Sequence, residues 1–147
     1  MSEKPINVLL ADDDTDDCYF FNKAVAALPL RTQLTVVNDG EQLMTYLAAE
    51  TNPMPDVLFL DINMPRKNGV ECVHEMQKDA RLKTIPVVMF STSKNEEIMK
   101  SLFKAGVHIY IRKPGDFSQL KEVIANALPI AAQSSFATSH VKYIMNA

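Results

Sequence analysis

The feature that most constrains the fold is a repeated alternation of short apolar runs with longer amphipathic segments. Five runs are rich in Val, Ile, Leu and Phe, and several of them are apolar at almost every position. Runs of this kind are typical of strands that are buried on both faces of a parallel sheet. The predicted strands are residues 6–11, 33–37, 56–60, 86–90 and 107–111.

The segments between these strands have the periodicity of helices, since their apolar residues return every three or four positions. Asp39 and Asn68 can cap the second and third helices, and Gly106 can close the fourth in a left-handed conformation. Five alternating strands and helices predict an α/β, flavodoxin-like, doubly wound parallel sheet of strand order 2-1-3-4-5, with right-handed crossovers. The clearest helical segments are residues 15–28, 94–105 and 118–128.

The last part of the chain breaks this pattern. Residues 129–147 are rich in Ala, Ser and Thr, yet they carry more apolar weight than a disordered end usually has. We therefore interpret residues 1–128 as one domain and residues 129–147 as a C-terminal extension, which packs along the domain or across a dimer interface and forms no separate domain. The apolar residues of the extension are Phe136, Val141, Tyr143 and Ile144.

Composition excludes several classes of protein. The chain has 15 basic and 18 acidic side chains, a net charge of −3, so we expect no nucleic-acid partner, which would require a clustered basic face. Its apolar runs are too short to cross a bilayer, and we expect no membrane partner. The first residues lack the apolar core of a signal peptide, which makes the cytoplasm the expected compartment.

Polar side chains follow four of the five predicted strands. In a doubly wound sheet, ligands bind beyond the carboxyl ends of the strands, and the order 2-1-3-4-5 makes strands 1, 3, 4 and 5 contiguous. We therefore expect these side chains to form one patch. Its residues are Asp12, Asp13 and Asp14 after strand 1, Asp61 after strand 3, Ser91 and Thr92 after strand 4, and Lys113 after strand 5.

Three carboxylates in one pocket need a compensating positive charge, because two of them about 4.5 Å apart repel by about 4 kcal/mol at an effective dielectric of 20. Mg²⁺ takes oxygen ligands and is commonly held by carboxylates together with waters and phosphate oxygens. A carboxylate can also act as a nucleophile toward a phosphoryl donor, with the metal and Lys113 neutralising the transferred charge. The hydroxyl of Ser91 can donate a hydrogen bond to a phosphoryl oxygen.

Each of these residues also has a purely structural interpretation when it is considered alone. Asp14 can cap the first helix, and for this residue we favour that role. Asp61 can be a turn residue, Ser91 can belong to the start of the fourth helix, and Lys113 can be a solvated charge. The functional hypothesis depends on all four positions being at neighbouring strand ends.

Four motifs give the sequence a resemblance to a known family. In chain order they are residues 9–13 (LLADD), 60–65 (LDINMP), 90–92 (FST) and 110–114 (YIRKP). They resemble the receiver domain of two-component response regulators over residues 6–128. The chain is similar to single-domain regulators of the chemotaxis type, and its segment 79–86 looks like those that partner phytochrome-type kinases.

The resemblance implies a phosphorylation site that uses Mg²⁺. Asp61 would accept the phosphoryl group. Asp12 and Asp13 would hold Mg²⁺ together with Asp61 and the backbone carbonyl of Asn63. The donor would be a sensor histidine kinase or a phosphotransfer protein. The chain would catalyse only its own phosphorylation and a slow autodephosphorylation, and would not be an enzyme in the ordinary sense.

The resemblance also implies how the signal leaves the site. Ser91 would be the switch hydroxyl, and its movement would vacate space that Tyr110 can fill. Lys113 would be the phosphate partner, with a cis peptide bond to Pro114. Output would be exerted through protein contacts, with a possible homodimer through helix 4, strand 5 and helix 5.

Three alternatives remain at this stage. A Mg²⁺-dependent phosphohydrolase with an aspartyl nucleophile would require a second acid, as general acid–base, at the position of Asn63. A pseudo-receiver would use the fold only to bind proteins and would not need the complete set of site residues. A DNA-binding regulator would need an effector domain, for which the 19 residues after Leu128 (147 − 128) are too few. The cognate kinase, the downstream target and the oligomeric state are left open.

Overall fold

Strands and helices alternate along the chain in the predicted order. The computed structural model describes residues 4–133 and the backbone of residues 143–145. The strands are β1 (Ile6–Ala11), β2 (Thr32–Val37), β3 (Val57–Leu60), β4 (Val87–Ser91), β5 (Ile109–Arg112) and β6 (Tyr143–Met145). The helices are α1 (Thr15–Ala26), α2 (Gly40–Ala48), α3 (Gly69–Gln77), α4 (Glu96–Lys104) and α5 (Phe117–Ala131), with a 3₁₀ turn at Leu82–Thr84.

The strands form one parallel sheet in the order β2-β1-β3-β4-β5-β6. The first five confirm the predicted flavodoxin-like order 2-1-3-4-5. The sixth strand is a difference from the prediction: part of the C-terminal extension pairs with the outer edge of β5, with Ile109 opposite Tyr143 and Ile111 opposite Met145. Three residues are too few to produce a periodic strand signal. Phe136 and Val141, the other apolar residues of interest in the extension, lie outside the described residues.

The sheet separates two apolar cores, which explains why its central strands are apolar at nearly every position. Alternate residues of one strand enter opposite cores, since successive side chains point to opposite faces. In β3, Leu58 and Leu60 pack in the core on the side of α2, α3 and α4, and Val57 and Phe59 pack against α1 and α5. In that second core the rings of Phe21, Phe59 and Phe90 meet edge to face, with centroids 5.0–6.4 Å apart.

The predicted helix ends are confirmed by their cap geometry. The Asp39 side chain accepts from the backbone N–H of Gln42 at 2.8 Å, and Asn68 forms a reciprocal capping box with Glu71 at α3. Gly106 follows α4 with a φ of 109°, where a side chain would be strained.

The last helix is longer than predicted. It continues past Leu128 to Ala131, with Pro129 in its final turn. Proline removes one helical hydrogen bond and crowds the preceding turn. Here the helix persists because Leu128 and Ala131 on either side of it are both 0% exposed, so their burial holds the turn. In the described part of the chain, no helix has both the length and the apolar character needed to span a membrane.

Candidate functional site

Residues from four strand ends meet at one edge of the sheet. Asp12 directly follows β1, and Asp61 directly follows the adjacent strand β3. Ser91 ends β4, and Lys113 follows β5 on the neighbouring strand. The ladder extends to these positions, because the backbone N–H of Asp61 donates to the carbonyl of Ala11 at 3.0 Å and that of Lys113 donates to Ser91 at 3.0 Å. The parallel sheet therefore holds all four residues in register.

Three carboxylates form a compact cluster at this edge. Asp12, Asp13 and Asp61 each offer an oxygen, and these oxygens lie within 4.8 Å of one another. Asp12 and Asp61 are buried and Asp13 is exposed, so the cluster has a dry floor and an open rim. This set fits Mg²⁺, which prefers hard oxygen ligands and retains several waters. Asn63 is exposed beside the cluster, and its backbone N–H donates to the Asp61 carboxylate; its carbonyl as a metal ligand stays a prediction.

Lys113 supplies the positive charge of the pocket. Its Nζ lies 2.7 Å from Asp12 Oδ2, 2.8 Å from Asp17 Oδ2 and 3.4 Å from Asp61 Oδ2. It also lies 5.4 Å from the centre of the Phe90 ring, a cation–π distance. The Lys113 side chain is only 9% exposed, so its interpretation as a solvated surface charge is wrong.

Burial and charge shift the pKa values in the pocket. Burial raises the pKa of Asp61 to about 6, with Lys113 opposing this rise and Asp12 adding to it. Burial also raises the pKa of Asp12, against its hydrogen bonds to Lys113 and Asp14. For Lys113, burial alone would lower the pKa, but the hydrogen bonds to Asp12 and Asp17 outweigh it and raise the pKa. Lys113 is therefore firmly protonated.

Ser91 and Tyr110 are linked through the loop that follows β4. Ser91 is fully buried, and its Oγ accepts a hydrogen bond from the backbone N–H of Ser93 at 3.2 Å. The Tyr110 hydroxyl donates to the carbonyl of Ser93 at 3.0 Å, and the residue is 0% exposed. That a movement of Ser91 vacates space for Tyr110 stays a prediction. The Tyr110 ring already occupies an inner position, because the core and the Ser93 carbonyl hold it there.

The prediction of a cis peptide bond between Lys113 and Pro114 is wrong. No peptide bond among the described residues is cis, so Lys113 and Pro114 are joined in trans. The trans form of an X–Pro bond is favoured by about 0.5–1 kcal/mol unless packing opposes it. Lys113 reaches the carboxylates with the trans bond, so the site imposes no such opposition.

Two structural roles at the site went unnoticed in the sequence. Asp17, in the first turn of α1, contacts Lys113; its only sequence signal was an acid shortly after strand 1. The capping role predicted for Asp14 is confirmed, since its side chain accepts from the backbone N–H of Asp17 at 2.9 Å. The second role that the sequence did not reveal is that of Gly69. Gly69 at the start of α3 packs directly on the acceptor loop: a Cβ there would lie 2.2 Å from the Asp61 carbonyl oxygen. A long-range contact of this kind has no local signature.

Fold and site together define a doubly wound α/β domain with an acidic, lysine-bearing pocket at the carboxyl ends of its strands. Residues 8–125, more than half of the chain, match the model of the response regulator receiver domain. The chain belongs to this family. It is therefore a receiver domain of two-component signalling, a class of signalling switches distinct from conventional enzymes.

The curated relatives include a response regulator and a chemotaxis protein. The chain is 28% identical over 127 residues to the response regulator Rcp1 of Synechocystis sp., with 84% of this chain and 86% of Rcp1 covered. It is 38% identical over 73 residues to the chemotaxis protein CheY1 of Helicobacter pylori, with 50% of this chain and 59% of CheY1 covered.

Solved structures confirm the fold. The Mn²⁺-bound form of Rcp1 superposes with a TM-score of 0.80 at 26% identity, covering 88% of this chain and 96% of that chain. The phosphorylated cyanobacterial phytochrome response regulator RcpA superposes with a TM-score of 0.79 at 30% identity, covering 95% of this chain and 98% of that chain.

Proposed function

We propose that this receiver domain accepts a phosphoryl group on Asp61, with Mg²⁺, from a sensor histidine kinase or a phosphotransfer protein. The observation that carries the proposal is the setting of one carboxylate. Asp61 directly follows the central strand β3, with Asp12 and Asp13 in the same cluster and the Lys113 ammonium 3.4 Å away. Asp61 thus lies next to both a place for a cation and a fixed positive charge.

The side chains divide the chemistry between them. A carboxylate oxygen of Asp61 forms a bond to phosphorus while the bond from phosphorus to the donor atom breaks, and the leaving group keeps the electron pair. With a pKa of about 6, Asp61 is mostly ionised at neutral pH and is available as a nucleophile. Lys113 and the Ser91 hydroxyl would donate hydrogen bonds to the phosphoryl oxygens. Mg²⁺, held by Asp12, Asp13, Asp61 and the Asn63 carbonyl, would neutralise charge on the transferred group.

The output would be a change in the surface formed by α4, β5 and α5. A phosphoryl group brings close to two negative charges and strong hydrogen-bond acceptors to the pocket. If Ser91 turned toward it, Ser93 would lose its bond to the Ser91 hydroxyl while keeping its bond from Tyr110. The signal would therefore pass into the β4–α4 loop through Ser93.

We further propose that residues 1–128 form the receiver domain, that residues 129–147 are an extension of it, and that the chain works in the cytoplasm. A homodimer through α4, β5 and α5 is the simplest reader of the switched surface, since two-fold dimers are the commonest assemblies. Light scattering with and without beryllofluoride and Mg²⁺ tests it. The truncated control should end at Gln133, because α5 continues to Ala131. Monomers in every sample would contradict the dimer but not the receiver function.

Acetyl phosphate tests the phosphorylation itself. With Mg²⁺ it should add one phosphoryl mass to the intact chain, and EDTA should suppress the labelling. Asp61→Asn should abolish it, whereas Asp16→Asn, an exposed neighbour on α1, should label normally. Normal labelling of Asp61→Asn would refute the assignment, and a wild-type chain that never labels would favour a pseudo-receiver.

A further inference from the structure

Lys113 has a partner that the proposed reaction does not use. An ammonium group has three N–H donors, and three carboxylates, those of Asp12, Asp17 and Asp61, surround Nζ in this structure. Asp12 and Asp61 belong to the acidic cluster, but Asp17 lies outside it. Asp17 therefore contacts the site through its bond to Lys113.

The position of Asp17 distinguishes it from the acids on the pocket floor. It comes from the first turn of α1, and its side chain is 41% exposed, against 1% for Asp12 and 8% for Asp61. A cavity of about 340 Å³ lies beside it, lined by Lys113, Phe90 and Phe20 among others. Water can thus solvate the Asp17 carboxylate if the lysine leaves, which is not true of the two buried acids. The bond to Asp17 is the one that Lys113 gives up at least cost.

We propose that Asp17 is a positioning residue that holds Lys113 in the resting state and competes with the phosphoryl group for it. When phosphoryl oxygens arrive at Asp61, Lys113 redirects a donor from Asp17 toward them. Asp17 thereby sets how tightly the pocket holds a phosphoryl group. The inference rests on the proposed function, since it concerns the lysine that binds the transferred group.

The negative charge of Asp17 opposes the binding of a phosphoryl group, as its hydrogen bond to Lys113 does. Asp17 adds a negative charge close to the place where a phosphoryl group brings nearly two more. Replacing it with neutral asparagine removes this repulsion and weakens the competition for Lys113, because an amide oxygen accepts a hydrogen bond from an ammonium less strongly than a carboxylate does. Binding of a phosphoryl mimic should become tighter, whereas loosening of the site by a merely structural defect would make it weaker.

The test is the affinity of beryllofluoride at saturating Mg²⁺, measured by calorimetric titration of the full chain. Asp17→Asn should bind about three- to tenfold more tightly than wild type, the effect of one partly exposed charge-assisted hydrogen bond. Asp16→Asn is the matched control, since it removes the same charge from the same helical turn and should stay close to wild type. Asp17→Glu, which keeps the carboxylate, should return toward the wild-type affinity.

The same variants distinguish the role of Asp17 from other causes of a changed beryllofluoride affinity. Mg²⁺ alone should bind Asp17→Asn no more tightly than wild type, because a nearby negative charge has been removed. Tighter Mg²⁺ binding in that variant, or a beryllofluoride affinity equal to or weaker than that of Asp16→Asn, would overturn the role of Asp17. If the wild-type chain neither binds beryllofluoride nor labels with acetyl phosphate, the proposed function itself fails, and the inference fails with it.

Discussion

Replacing Gly69 with alanine should displace the acceptor Asp61, because the two residues touch through their backbones. Gly69 is the first residue of α3, and its N–H donates to the carbonyl of Ile62 at 2.8 Å. An added Cβ would lie 2.2 Å from the Asp61 carbonyl oxygen and 3.0 Å from both the Asp61 carbonyl carbon and the Ile62 Cα. All of these atoms are backbone, so no side-chain rotation can relieve the contact.

The displacement can be estimated from these distances. Moving the oxygen from 2.2 Å to the 3.0 Å below which real contacts essentially never occur requires at least 0.8 Å (3.0 − 2.2). The end of β3 and the start of α3 must move apart by that amount between them. Overpacking of this kind costs about 1–3 kcal/mol of unfolding free energy. A misplacement of about 1 Å in a reacting group can lower a rate about 10²-fold.

Urea unfolding and the rate of acetyl-phosphate labelling would measure the two effects in the same variant. Gly115→Ala is the matched control, since a Cβ at that position has no heavy atom within 4 Å other than those of Gly115 and its two chain neighbours. We expect Gly69→Ala to lose stability and to label much more slowly while still folded, and Gly115→Ala to behave like wild type. A Gly69→Ala chain with wild-type stability and labelling rate would refute the argument that this contact positions Asp61.

Three further predictions concern the acceptor, the loop after β4 and the path of the attacking water. In EDTA, the pKa of Asp61 is about 6 in the native state, against about 3.9 in the unfolded chain. Between these two pH values the native state binds more protons than the unfolded state does. The free energy of unfolding therefore falls as the pH rises from about 3.9 to about 6. Asp61→Asn should therefore flatten this slope and raise the unfolding free energy at pH 7 by up to about 3 kcal/mol in denaturant titrations; a less stable variant would contradict the pKa argument. Tyr110→Phe should lose about 0.5–1.5 kcal/mol, because the Ser93 carbonyl loses its 3.0 Å bond, and an unchanged urea midpoint would refute this. Asn63 is exposed beside the acidic cluster, and the backbone N–H of Ser93 bonds to the Ser91 hydroxyl at the same edge of the sheet, so we expect both residues to line the path of water that attacks a phosphoryl group on Asp61. Substitutions at Asn63 and Ser93 should therefore change the autodephosphorylation rate without preventing labelling by acetyl phosphate, and decay at the wild-type rate in these variants would refute this role.

Local signals in the sequence were sufficient to predict the strands, the helices and the location of the site. The apolar strands, the caps at Asp39 and Asn68 and the stop at Gly106 depend on residues close together in the chain. The parallel topology then brings successive strand ends to one edge. That rule alone predicts that Asp12, Asp61, Ser91 and Lys113 lie close together.

Contacts between distant parts of the chain were decided only by the tertiary structure. The bond from Lys113 to Asp17 spans 96 positions, and β6 joins the sheet beside β5 although its own sequence is unremarkable. The inner position of Tyr110 and the contact of Gly69 with Asp61 likewise depend on how elements pack. Periodicity and caps report the interactions of a residue with its chain neighbours, so they contain no information on which side chains meet once the sheet has closed. The elements and the location of the site were thus present in the sequence, whereas the partners of Lys113 and the backbone that holds Asp61 in place required the folded chain.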